Sequence, residues 1–207
     1  PDHGLERLPP CKNLYRHDWG RPWAREAGLN ELAPLQNLTT LDLSGTKVTD
    51  AGLKALREIN LLHSLASAST EGGGRPTKLE DVTTLSLHDT AVTDAGLKEL
   101  AALTSLHSLQ LGKTRVTDVG LKVLAALTSL QSLNLYLTQL TDAGLKELSA
   151  LKSLHSLDLG NTKVTDAGLK ELSTMNSLQS LELAGTDVSN AGLKELSALK
   201  SLHLLNL

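Results

Sequence analysis

The chain contains no phenylalanine, and aromatic residues make up only 2% of its 207 positions. A globular core of this size ordinarily uses Phe as a large filler. Leucine replaces it here, which asks for an architecture made of many small, equivalent slots. A single cysteine, Cys11, excludes an intrachain disulfide framework and fits a reducing compartment. That leaves the location open between the cytoplasm, which it favours, and secretion or surface display if the chain is part of a longer one. No apolar run approaches the ~18 residues of a membrane span, so no membrane insertion is expected. The charge is nearly balanced at −3, with 20 basic and 23 acidic residues, which gives no electrostatic reason to expect nucleic acid as a partner. The chain begins at Pro1 without a signal-peptide pattern, which reads as a processed chain or a fragment.

What the sequence has in abundance is repetition. The segments LHSLQLGKTRVTDVGLKVLAALTS from Leu106, LQSLNLYLTQLTDAGLKELSALKS from Leu130, LHSLDLGNTKVTDAGLKELSTMNS from Leu154 and LQSLELAGTDVSNAGLKELSALKS from Leu178 are each 24 residues long and follow one another without insertion. Further copies open at Val82 and Leu38, and a last partial copy, LHLLNL, opens at Leu202. In LHSLQL the apolar Leu109 and Leu111 alternate with Ser108 and Gln110, the period of a strand. In TDVGLKVLAAL the leucines at 121, 124 and 127 recur every three residues, a short helix or 3₁₀ stripe. Asp118, with its counterparts Asp50, Asp94, Asp142, Asp166 and Asn190, is expected to be the N-cap of that stripe. A helical stretch of about nine residues is too short to persist alone. Each unit must therefore bury Leu106, Leu109, Leu111, Val116, Leu121, Leu124 and Leu127 against the same residues of its neighbours.

This pattern resembles the leucine-rich-repeat family, whose signature is L-x-x-L-x-L-x-x-N/C-x-L. The VTDAGLKEL half is similar to bacterial repeat proteins and to the ribonuclease-inhibitor-like arrays found beside F-box adaptors. The resemblance covers about residues 24–207. It implies an α/β fold: a right-handed horseshoe solenoid with a parallel β-sheet on the concave face and short helices on the convex face. It also implies a protein partner on the concave sheet. A substrate-recognition array of a ubiquitin-ligase-type adaptor is one alternative, although no F-box precedes Leu14 in the sequence. Threonines 46, 90, 114, 138, 162 and 186 stand where the family has Asn. The family's Asn ladder bonds adjacent loops, and the Thr hydroxyl is expected to do a shorter version of this.

The expected organisation is an irregular N-terminal cap with a half repeat (1–37), one repeat (38–61), a degenerate repeat with a Gly-rich loop (62–81), and five full repeats plus a truncated strand (82–207). Trp19 and Trp23 read as the lid of the cap, with peptide binding by this Trp/Arg cluster as the alternative. In 62–81 the spacing falls to 20 residues and EGGGRPTKLED replaces the helical half. A loop on the convex side is expected there. It reads either as a decayed repeat or as a hinge or protruding binding loop. Leu205 and Leu207 would form an exposed edge, so end-to-end self-association through the C-terminus is a further expectation.

No constellation for catalysis, cofactor or metal emerges. His107, His155 and His203 lie 48 residues apart, hence two rungs or ~10 Å apart, too far to share a metal. Cys11, His17 and Asp18 lack an evident oxyanion site. The expected function is a non-enzymatic interaction scaffold, or alternatively a structural spacer or assembly segment. On the inner face most strand residues are small and polar, and Tyr136 with Leu137 stands out as an anchor. The candidate partner-binding residues are Tyr136, Leu137, His88, Asp89, Lys113, Arg115, Gln110, Asn134 and Asp158.

Overall fold

The computed structural model describes residues 26–43 and 48–207. The lid tryptophans, Cys11 with its neighbours, and Thr46 lie outside the described residues. Each regular unit runs strand, turn, helix, and the strands stack in chain order into one seven-stranded sheet. The strands are β1 (Ala68–Ser69), β2 (Thr84–Ser86), β3 (Ser108–Gln110), β4 (Ser132–Asn134), β5 (Ser156–Asp158), β6 (Ser180–Glu182) and β7 (Leu204–Asn206). From β2 onward every pair is parallel and shifted by one repeat, so Leu85, Leu109, Leu133, Leu157, Leu181 and Leu205 sit side by side. The second layer holds α1 (Glu26–Leu29), α2 (Asp50–Glu58), α3 (Asp94–Leu97), α4 (Asp118–Leu124), α5 (Asp142–Leu148), α6 (Asp166–Leu172) and α7 (Asn190–Leu193). Between the layers runs one aliphatic spine. All seven core positions of the unit from Leu106 are at most 1% exposed, and each contributes roughly 1.5–3 kcal/mol only because neighbouring units cover it.

Two polar expectations are corrected. The N-caps are not the aspartates but the residues before them. Thr93, Thr117, Thr141, Thr165 and Ser189 each accept a backbone N–H from two residues on, at 3.1–3.3 Å. The aspartate at the first helical position reaches instead to the next unit. Asp118 accepts the Thr141 N–H at 2.9 Å and the Thr141 hydroxyl at 2.6 Å. Asp94, Asp142 and Asp166 repeat this on Thr117, Thr165 and Ser189. The Ser189 donors hold the Asp166 carboxyl below the usual carboxylate range. This ladder explains the glycine of T-D-x-G. A Cβ on Gly144 would lie 2.5 Å from both the Asp118 carboxylate and Leu140 Cδ1. Among the described residues the threonines at the family's Asn position do not bridge loops either. Thr114, Thr138 and Thr162 donate to the carbonyl three residues back in their own rung, at 2.6–2.7 Å.

The expectation of a convex loop at 62–81 is also overturned. The helix layer runs through without a gap. Asp50 accepts from Thr93 at 2.8 and 2.6 Å, Ala91 N–H donates to the Val48 carbonyl, and Arg57 on α2 pairs with Glu99 just after α3. The misfit is absorbed on the sheet side. Leu62–Ser64 form a 3₁₀ turn, and Leu65 pairs in parallel with Leu41. The chain then reverses, so β1 pairs antiparallel with β2. Four residues short of a full unit, the rung cannot complete its own loop and helix.

The reversal breaks the parallel ladder and crowds several carbonyls together at the joint, and Arg75 collects them. Its guanidinium donates to the carbonyls of Thr39, Ser64, Leu65, Ala66 and Ala68 at 2.6–3.2 Å. Its five donors in a rigid fork suit this role better than a lysine ammonium would. His63, 5% exposed, packs beside this joint with Nδ1 unpartnered. Burial pushes its pKa below the ordinary histidine value, and the Arg75 charge adds to this against opposing pulls from the Asn60 carbonyl and Asp81.

Two outcomes follow from this packing. Gly144→Ala should lower stability by about 1–3 kcal/mol despite alanine's helix preference. Part of that loss should return when Asp118→Ala is combined with it, as read from denaturant midpoints. For His63 the unfolded chain takes up a proton near pH 6.5 while the folded chain resists it. Stability is therefore level above that pH and falls below it, by at most ~1.4 kcal/mol per pH unit. Urea midpoints between pH 7.5 and 5 should show this slope in the native chain and lose it in His63→Gln; an equal slope in both assigns it elsewhere.

Candidate functional site

The inner face of the sheet displays alternate residues of each strand and the turn that follows. One row runs Ser86, Gln110, Asn134, Asp158, Glu182. Two strand residues later runs His88, Gly112, Tyr136, Gly160, Ala184. The second row alternates large and minimal, and the glycines are beds for the rings before them. A Cβ on Gly112 would lie 2.7 Å from both His88 Nδ1 and Asn134 Oδ1, and one on Gly160 would lie 3.2 Å from Tyr136 Cδ2. His88 therefore reaches over Gly112 toward Asn134, and Tyr136 lies over Gly160 toward Asp158. Without these glycines both rings would be lifted off the sheet.

Polar side chains fix this arrangement. Asn134 Nδ2 donates to Asp158 Oδ2 at 2.7 Å, and Asn134 Oδ1 accepts the Tyr136 N–H at 3.0 Å. Asp158 Oδ1 in turn accepts the Gly160 N–H at 2.9 Å. These are local Asx-type turns that hold the chain as it leaves each strand. Gln110, Asn134, Tyr136 and Asp158 are half-buried, whereas His88, Asp89, Lys113 and Arg115 are exposed.

Asp89, Lys113, Leu137, Asn161 and Gly185 form the next row, and all adopt a left-handed backbone, with φ between 54° and 71°. Asp, Asn and Gly suit that conformation; leucine does not, and a Cβ-bearing residue is strained there by ~1–2 kcal/mol. Leu137, with φ 55°, is nevertheless 47% exposed. It gains little from burial, so neither backbone preference nor packing in the free chain accounts for it.

The structure thus joins His88, Gln110, Asn134, Tyr136, Leu137 and Asp158 into one track, with Asp89 and Lys113 on its border. Arg115 is set apart. It lies past the turn in a second ladder at the helix entrances, where it pairs with Thr93. Sequence reading missed a feature at the other end of the track. Where the rung at Leu65–Ser67 turns away, a cleft of about 320 Å³ opens, lined among others by Asp42, Leu43, Ser67, Ser86, His88 and Asp89. The four-residue deficit in that unit was its signal. Among the described residues no group of three or more His, Cys, Asp or Glu could hold a metal, and no helix is long and apolar enough to cross a membrane.

Family models for leucine-rich repeats match residues 128–173 as two copies, and residues 35–56, 102–125 and 174–197 as single copies. The chain is a leucine-rich-repeat protein. Among solved structures, this repeat protein is similar to an internalin (inlF) from Listeria monocytogenes, at 23% identity and a TM-score of 0.55, covering 85% of this chain and 56% of that one. It is also similar to an internalin C2 from the same organism, at 25% identity and a TM-score of 0.50, covering 86% of this chain and 71% of that one. The repeat protein therefore spans little more than half the length of the first of these. No curated protein matches it. Arrays of this family are protein-interaction modules that present an extended concave surface.

Proposed function

We propose that the concave sheet binds a protein partner, with Tyr136 and Leu137 as the anchor. The observation that carries this is Leu137: an apolar side chain held half in water, on a backbone that disfavours it, beside the one tyrosine of the inner face among the described residues. Local strain of this kind is retained where something outside the free chain compensates for it. Gln110, Asn134 and Asp158 surround the anchor with accessible polar groups, the last two hydrogen-bonded to each other, the arrangement of an interface hot spot and its rim. His88, Asp89 and Lys113 extend the surface toward the cleft. The reading is of a scaffold that positions another protein and performs no chemistry itself.

Affinity capture with the native chain, Tyr136→Ser, Leu137→Asn and a convex control, Lys170→Ala, tests this. Both concave variants should lose the same captured protein at least tenfold, as expected for an anchor worth ~1.4 kcal/mol or more. Leu137→Asn should meanwhile raise stability by roughly 1 kcal/mol, since Asn tolerates the left-handed backbone. Undiminished capture by both variants removes this assignment.

A second reading rests on β7. Leu204, Leu205 and Leu207 are 46%, 40% and 63% exposed along its outer edge, which favours edge-to-edge association of two copies. Sedimentation coefficients should then rise with concentration and stop rising in Leu205→Glu; a constant coefficient for the native chain rejects it.

A further inference from the structure

The cleft beside β2 is a missing half-rung, and its backbone shows what would fill it. From β3 to β6, the carbonyls of the strand's last residue and of the second residue after it follow a fixed rule: they accept N–H groups from the rung before. Gln110 and Gly112 carbonyls accept from Leu87 and Asp89, at 2.8 and 2.9 Å. Asn134 and Tyr136 carbonyls accept from Leu111 and Lys113, at 2.9 and 2.7 Å. The counterparts in β2 and its turn are the carbonyls of Ser86 and His88. The rung before them reaches only as far as Ser67, whose carbonyl accepts the Ser86 N–H at 3.1 Å, and then turns away. Among the described residues no loop N–H reaches either carbonyl. A parallel strand edge with two open acceptors is thus presented at the cleft.

The charge of the cleft selects the occupant further. Among the described residues its lining contains two carboxylates, Asp42 and Asp89, and no lysine or arginine. Asp89 is exposed, and no hydrogen bond or ion pair to its carboxylate occurs among the described residues. Leu43, Val48 and Leu87 supply the apolar lining. Hydrogen-bond acceptors and negative charge on a strand edge call for a donor-rich, cationic chain in extended form.

We infer that the cleft binds an extended basic segment of a partner protein, which completes the sheet. Its backbone N–H groups donate to the Ser86 and His88 carbonyls, and a Lys or Arg side chain meets Asp89. This rests on the concave-face reading above and places a second point of contact at the other end of the same track.

The array supplies its own probe. Residues 110–115, Gln-Leu-Gly-Lys-Thr-Arg, already donate in this register through Leu111 and Lys113. The blocked hexapeptide of that sequence should bind the full chain saturably, with amide NMR shifts concentrated at residues 86–90. N-methylation of its Leu and Lys nitrogens, replacement of its Lys and Arg by Glu, and Asp89→Asn in the protein should each weaken binding by about fivefold or more. Asp89→Asn keeps a residue suited to the left-handed backbone, so the fold survives. No saturable shift at millimolar peptide, shifts confined to Tyr136–Leu137 or β7, or equal binding of the Glu peptide would each overturn the inference. So would self-association of the protein that perturbs residues 86–90 without peptide, which would make a second copy the occupant. Loss of partner capture by Tyr136→Ser alongside a failed peptide titration would leave the concave-face reading standing and remove only this one.

Discussion

The array depends on a carboxylate that belongs to one unit and is satisfied by the next. Asp118 stands at the first helical position of α4 and takes both the N–H and the hydroxyl of Thr141. Three consequences come from that single contact. It fixes the offset between units, because donor and acceptor must meet once per turn of the solenoid. It leaves no room for a side chain at Gly144, so the glycine follows from the aspartate. It also places negative charge near the helix N-termini of two units, where the backbone dipoles favour it. Leucine burial supplies most of the stabilisation, but slots filled by equivalent leucines do not by themselves choose a register. The polar ladder does.

The same ladder explains how the chain survives a defective unit. Between Asp50 and Thr93 the contact is made across 43 residues instead of 23. The helix layer thus ignores residues 62–81, and the sheet has to accommodate them. A rung with no helix behind it can pair with Leu41 on one side but cannot continue its turn. It folds back, and the reversal leaves carbonyls facing one another that only a multidentate donor can reconcile. Arg75 is that donor, and burial lowers its pKa from the ordinary arginine value without removing its charge. The Gly-rich stretch gives the backbone freedom to bring Arg75 under the strands: Gly73 takes φ 75° in the turn closed by Thr70.

Repetition made the fold legible. A strand period and a three-residue stripe recurring every 24 positions determine the layers, the spine and the row of each side chain. Polar detail was legible only to within one residue, because Thr and Asp are both good caps and both precede the helix. The choice between them is made by the neighbouring unit, which no single-unit reading contains. The same limit applied at 62–81. Gly and Pro correctly marked a broken helix, but whether the remainder lay on the convex or the sheet side depended on α2 meeting α3. In the candidate site, Tyr136 and Leu137 were visible as departures from their columns. The glycines at 112 and 160 that seat His88 and Tyr136 were in the same columns, yet they read as blank positions rather than as the surface on which rings lie. Arg115 was grouped with the patch by sequence proximity to Lys113, although the turn between them carries it into the other ladder.

Near-identical units have a further effect on where function can reside. A repeat that copies its side chains presents the same small polar residue on each rung, and such a surface discriminates poorly between partners. Selectivity then has to come from the rungs that break the pattern. In this chain the breaks are not scattered. The shortened rung opens the cleft at Ser67, His88 and Asp89 follow on the next rung, and Tyr136 with the strained Leu137 lies two rungs beyond. The convex face of the same units keeps the ordinary DAGLKEL pattern, apart from Val119 and Val123 on α4. A track of exceptions along one face, over a scaffold held in register by the ladder, fits the proposal that a partner is met on those rungs.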